Sequence, residues 1–204
     1  MKNASTTKGA FLALAFLALC LVPGLNTPAR AGVFNPETFT LANGMQVVVI
    51  GNHRVPMVTH MVWYGVGSAD EGPGESGIAH FLEHLMFKGT KKRKPGEFSK
   101  ILARNGGREN AFTSADYTAY FQTVAVDRLE IVMEMEADRM VNSLILGEEL
   151  QKEMTVVRNE FEMGENSPER ILRQRIMSAA YDWHNYGFST IGNRSDLERV
   201  PAET

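Results

Sequence analysis

The sequence reads as an α+β fold, an antiparallel or mixed sheet with helices packed on one face. Three observations carry that reading. Strand-like runs come in pairs joined by short turns, which is hairpin rather than crossover connection. Segments with helical spacing follow the strands and separate the two pairs. The 204 residues are 44 % apolar and 22 % charged, enough to bury one sizeable core and unlike a disordered or collagen-like chain.

The elements follow in order. Residues 1–31 read as a secretory signal peptide: Lys2 and Lys8 are positive, residues 10–22 are apolar, and Ala29-Arg30-Ala31 is a small-x-small cleavage site. The apolar run is too short for a comfortable membrane span. Residues 39–41 and 45–50 flank Asn43-Gly44, a hairpin signal. Residues 57–66 are apolar and β-branched, a third strand. A glycine-rich loop, 65–77, leads into helical spacing over 78–87. Pro95-Gly96 opens a second helix and Gly106-Gly107 closes it. Residues 111–114 and 117–124 form the second strand pair. Asp127 and Glu130 have capping-box spacing ahead of a long helix, with Leu129, Val132, Met133, Met140 and Leu144 as its apolar stripe. Residues 148–165 read as another helix, and Pro168 starts one reaching about residue 183. Beyond it, residues 201–204 read as the opening of a further element, so the chain is expected to be the first part of something longer.

Charge narrows the function classes. A net charge of −3 and a pI near 6.0 disfavour nucleic acid as a partner. Cleavage after Ala31 leaves 18 basic against 24 acidic side chains, a net charge of −6. The single cysteine, Cys20, lies inside the signal, so the mature chain carries none. We expect an exported protein with no stable membrane insertion after signal cleavage, and a bacterial periplasm as its destination.

The chemistry concentrates at His80-Phe81-Leu82-Glu83-His84. On a helix, positions i and i+4 share a face, so both imidazoles can reach one metal ion. Two neutral imidazoles suit zinc, and Glu83 beside them is placed to act as a general base. A catalytic zinc needs a third protein ligand. The 148–165 helix offers Glu149, Glu153, Glu160, Glu162 and Glu165. Glu153 and Glu160 are two turns apart and share a face, with Val156 and Val157 between them. Burying an unpaired carboxylate is costly, so a metal or histidine partner there makes physical sense. Glu162 and Glu165 read as solvated.

His80-x-x-Glu83-His84, in its setting of residues 76–90, resembles the inverted zinc motif of the pitrilysin/insulinase family of zinc peptidases. Residues 109–114, Glu-Asn-Ala-Phe-Thr-Ser, resemble that family's substrate-binding edge strand. Residues 156–160, Val-Val-Arg-Asn-Glu, resemble its segment bearing the third ligand, 76 residues after His84. The resemblance implies a peptidase domain of that fold over residues 32–204, with one Zn2+ per chain held by His80, His84 and Glu160. It implies Glu83 as the base that activates the zinc-bound water, and Glu153 as a carboxylate that orients a ligand. Asn110, Ala111 and Phe112 would then bind an extended peptide substrate as an added strand. It further implies a second homologous domain or partner subunit. The alternative is a non-catalytic subunit that holds zinc and peptide, or a truncated fragment needing a partner half.

Weaker signals have plainer readings. Lys91-Lys92-Arg93-Lys94 reads as a solvated basic loop. His53 and His60 lack ligand spacing. Met133, Met135 and Met140 read as core filling, and Tyr117, Tyr120 and Phe121 as a packed strand face that Tyr117 extends to the cleft edge. His184-Asn185-Tyr186-Gly187 reads as a local structural segment.

Overall fold

The computed structural model describes residues 34–145 and 147–199. The expected signal peptide and Cys20 lie outside these residues. The described residues divide into two compact units, with the boundary between Arg54 and Val55. In the first, β1 (Glu37–Thr40) and β2 (Gln46–Val49) pair antiparallel, with Thr40 opposite Gln46. Asn43 and Gly44 make the turn: Asn43 Oδ1 accepts from the Met45 N–H (3.1 Å), and Gly44 takes φ 89°, a left-handed value that glycine adopts freely.

The second unit runs β3 (Met57–Tyr64), α1 (Ile78–Leu85), α2 (Glu97–Arg104), β4 (Arg108–Thr113), β5 (Thr118–Ala125), α3 (Leu129–Asn142), α4 (Gly147–Glu165), α5 (Pro168–Ala180) and a short α6 (Arg194–Leu197). The strands form one antiparallel sheet in the order β3-β5-β4. Alternation along β5 buries Tyr120, Gln122 and Val124 on the helix side. The opposite face leaves Met57, Met61 and Trp63 exposed. The fold is therefore α+β, with the helices on one face of the sheet, as the hairpin pattern predicts. Among the described residues no helix is long and apolar enough to cross a membrane.

Two cores hold this unit. Leu102 of α2, Val124 of β5 and Val132 of α3 pack together, with Val58 and Phe98 against them. Phe81 and Leu85 of α1 pack on Leu150 and Val157 of α4 and on Leu197 of α6. Phe81 and Leu85 are one i,i+4 pair, and His80 and His84 are the pair beside it. One short helix thus carries a buried apolar stripe and an imidazole stripe side by side.

Helix α3 departs from the sequence expectation. Val132 and Met135 are buried, but so are Glu136, Asp138 and Arg139, while Met133 is 51 % exposed and Met140 is 37 % exposed. Arg139 pairs with Glu136 through Nε–H···Oε2 (3.0 Å) and through Nη2, and Gln122 also donates to Glu136. The guanidinium lies 4.4 Å from the Tyr120 ring centroid, 4.8 Å from Phe98 and 5.0 Å from Phe87. Paired charge with aromatic cover replaces the expected apolar stripe. The expected capping box is also not formed: Arg128 stands at the N-cap of α3 with no side-chain bond, after a 3-10 turn over Val126–Arg128.

The basic loop is partly tied down. Arg93 bonds Asp138 (2.8 Å) and Glu134 (3.0 Å), while Lys92 stays exposed. His60 Nδ1 meets Gln122 Oε1 at 3.1 Å, a structural role. Asn185 Nδ2 donates to the carbonyls of Ala69 and Glu71, both at 2.8 Å, which pins the loop before α1.

Candidate metal centre

Helix α1 is held rigidly at its start. Gly77 at the N-cap has φ 94°, and a Cβ there would lie 2.5 Å from the Ile191 carbonyl oxygen, so glycine is required. Ser76 Oγ donates to Asp196 (2.5 Å) and accepts from the Asn193 N–H (2.9 Å). The Glu71 carboxylate accepts from the N–H of Gly77 and of Ala79, each at 2.9 Å. That satisfies two of the orphan donors of the helix and sets a negative charge at its positive end. Burial pushes the Glu71 carboxyl up, and these two bonds oppose it.

One turn further on, the imidazoles of His80 and His84 stand 4.7 Å apart between ring centroids. Their Nε2 atoms lie 3.7 and 3.5 Å from Glu160 Oε2, delivered from α4. One ligand atom from each of the three residues falls within 4.8 Å of the others, a group that could hold a metal ion. His84 Nδ1 donates to Glu153 Oε1 at 2.8 Å. An ionised carboxylate only accepts, so Nδ1 carries a proton, and Nε2 faces Glu160. Burial pushes the Glu153 carboxyl up, but bonds from Lys88 and His84 outweigh it and hold the group below the ordinary glutamate range. Burial, then the charges of His84 and Arg170, hold the His80 imidazole down at about 4, so it is neutral at physiological pH. Its buried Nδ1 has no hydrogen-bond partner among the described residues. Two imidazoles and a carboxylate are a donor set that fits zinc.

Glu83 is nearly buried, at 8 % exposure, and accepts from Thr113 Oγ1 at 2.5 Å. Burial pushes its carboxyl up, while Thr113 and His84 pull it down. The bond to β4 fixes the carboxylate beside the imidazole pair.

Two clefts meet at this group, and His80 and Glu160 line both. The smaller, about 370 Å3, also takes in Glu83, Lys88, Asn110 and Ala111. The larger, about 1880 Å3, is bordered by Phe112, Tyr117 and helix α5. Strand β4 pairs only with β5 among the described residues, which leaves its other edge unpaired in this sheet. On β4, the Ala111 N–H donates to Asn110 Oδ1 (2.9 Å). The three expected substrate-strand residues are thus divided, Asn110 and Ala111 on one cleft and Phe112 on the other.

The structure brings His80, Glu83, His84, Glu153 and Glu160 into one neighbourhood. Val157 is the buried valine of the α4 face, whereas Val156 is 42 % exposed. Glu162 is at the surface, 3.4 Å from Arg194. Sequence reasoning missed Glu71, Lys88 and Thr113. Lys88, four residues after His84, carried a local signal, since it is one helical step from a ligand. Glu71 carried none, because its partners are chosen by the path of a glycine-rich loop.

Comparison with known proteins agrees with this geometry. Residues 46–194 match the family model described as insulinase (peptidase family M16). The zinc protease PqqE of Helicobacter pylori is 38 % identical over 182 residues, covering 88 % of this chain and 41 % of that protein. An uncharacterized zinc protease of Bacillus subtilis, YmxG, is 36 % identical over 161 residues, covering 79 % of this chain and 39 % of the relative. The crystal structure of a protease from Helicobacter pylori superposes with a TM-score of 0.78 at 39 % identity, over 82 % of this chain and 41 % of that one. The chain spans about two fifths of the length of these relatives. By sequence match and by fold, this chain belongs to the insulinase family of peptidases.

Proposed function

We propose that the chain is the N-terminal domain of an exported zinc metallopeptidase that hydrolyses peptide bonds within extended peptides. The observation that carries this is the convergence of His80, His84 and Glu160 with Glu83 beside them, at the junction of two clefts. His80 Nε2, His84 Nε2 and the Glu160 carboxylate hold one zinc ion per chain. When bound, zinc polarises the scissile carbonyl and makes water acidic enough to be deprotonated near neutral pH.

The chain's own groups do the rest. Glu83 takes the proton from the attacking water and passes it to the leaving amine nitrogen. Thr113 keeps that carboxylate in place. Glu153 holds the His84 proton on Nδ1, so that Nε2 stays a donor. Asn110, Ala111 and Phe112 present the edge of β4 to a substrate that adds as a strand, which favours unfolded segments. Residues 1–31 direct export to the periplasm, and residues 32–204 form the peptidase domain. A second homologous domain or partner subunit completes the substrate chamber, a reading supported by the share of the relatives' length that this chain spans.

The test is hydrolysis of an unstructured peptide library by the zinc-loaded protein, assembled with its second half, with Glu83→Gln beside it. We expect both to hold one zinc per chain and the variant to lose at least about 100-fold in rate. Equal rates for the two would remove Glu83 from the mechanism. Zinc bound without hydrolysis in the complete assembly would favour a binding subunit.

A further inference from the structure

Helix α5 forms a wall of the larger cleft that the hydrolytic chemistry leaves unused. Ser167 caps it, accepting from the Arg170 N–H (3.4 Å), and Pro168 starts it. Arg170, Arg173, Gln174 and Met177 fall at i, i+3, i+4 and i+7, which is one face, and all four line the cleft. The same cleft ends at His80 and Glu160. Both arginines are exposed, and among the described residues neither is in an ion pair. Arg175 lines the cleft as well, and the acids across from this wall are Glu160, which faces the imidazoles, Asp116, which accepts from Tyr186 Oη at 2.5 Å, and Glu165. On the α5 wall itself every charged lining residue is an arginine, in a chain of net charge −3.

A guanidinium is a planar fork that takes a carboxylate through two parallel bonds. A wall carrying one sign of charge attracts ligand groups of the other. We propose that Arg170 and Arg173 select acidic peptides: substrates carry Asp or Glu side chains on the segment that lies in the larger cleft, while the scissile bond sits at the imidazole pair. This rests on the peptidase reading above. The arginines stand on the approach to the candidate metal centre, which favours a peptide on its way to that centre over a permanently docked partner. A basic segment is repelled from the same wall.

The test is binding rather than turnover, so it does not depend on the activity of the assembled enzyme. Three unstructured fluorescent peptides of equal length and apolar content, with acidic, neutral or basic flanks, are titrated into the zinc-loaded Glu83→Gln protein assembled with its second half. Anisotropy is followed at low and high salt. The acidic peptide is expected to bind about tenfold more tightly than the neutral one at low salt, with the gap narrowing as salt rises. The gap should close in R170Q/R173Q and persist in R170K/R173K, which keeps both charges. Zinc content and circular dichroism check that these exposed substitutions leave the fold in place. Equal binding of all three peptides overturns the acidic preference alone, as does a preference that survives R170Q/R173Q. Binding of none of them overturns the proposal together with the peptide-binding reading beneath it.

Discussion

Two groups of polar side chains, one buried and one half-buried, lie within the second unit, and they are built on opposite principles. Around α3, Glu136 and Arg139 are each 2 % exposed and answer each other, with Gln122 closing the carboxylate and three aromatic rings covering the guanidinium. Opposite charges sit in contact and point inward. At the junction of the clefts, the two imidazoles instead turn Nε2 toward Glu160 Oε2, at 3.7 and 3.5 Å, so that three potential ligand atoms converge. The bonds that are complete there, from His84 to Glu153 and from Thr113 to Glu83, orient the groups rather than neutralise them. The first arrangement specifies a fold. The second is electrostatically complete only with a cation, and that distinguishes a site from a structural ion pair.

The contrast yields predictions of decreasing size. Arg139→Met leaves Glu136 buried without its partner, which should cost about 3–5 kcal/mol in urea unfolding, with or without zinc. Adding Glu136→Gln should recover part of that loss. If Arg139→Met is neutral, the α3 group is not the structural element described here. The same scale of change at the other group should be felt by the metal. Glu153→Gln should weaken zinc binding about 10- to 100-fold in a chelator competition, because the His84 tautomer is no longer enforced. An unchanged affinity there would reduce Glu153 to a partner of Lys88. Next comes Glu71→Ala, which frees the Gly77 and Ala79 N–H groups. It should cost about 1 kcal/mol in thermal or urea unfolding, the usual worth of a helix cap.

The smallest effect is a pH dependence. Burial raises the Asp138 carboxyl, but bonds from Thr90, Asn142 and Arg93 outweigh it and hold the group below the ordinary aspartate range, with Lys92 also facing it. A lowered native value means that the unfolded chain takes up the proton first. Stability from this group is therefore full above the ordinary aspartate value and is lost as pH falls through the native one. Acid titration of unfolding should show a shallower loss in Asp138→Asn than in the parent chain over that window. Identical slopes would show that Asp138 does not contribute.

The groups differ in how far the sequence revealed them, for a physical reason. His80, Glu83 and His84 lie within one helical turn, so their spacing alone puts them on adjoining faces. Glu160 and Glu153 are remote in sequence, yet their two-turn separation marks a shared face that must find partners when buried. The α3 group had no such mark. Its stripe of Leu129, Val132, Met133, Met140 and Leu144 satisfied helical periodicity, but Met133 and Met140 face outward and Arg139 is among the largest buried side chains. Periodicity ranks residues by hydrophobicity. It cannot register that Gln122, Phe87, Phe98 and Tyr120 would gather around one guanidinium and make its burial tolerable.

The chain by itself determined the hairpin at Asn43-Gly44, the order of strands and helices, and the imidazole pair, while Glu160 was singled out among the α4 glutamates only by the family resemblance. The first three rest on contacts within a few residues, or on a motif whose spacing is the chemistry. Tertiary structure alone decided which carboxylate caps α1, which hydroxyl holds Glu83 and which side of α3 faces inward. It also decided that Arg170 and Arg173 look into the larger cleft. Those outcomes depend on surfaces brought together from distant parts of the chain, where the stability of one side chain is set by neighbours that no local pattern names.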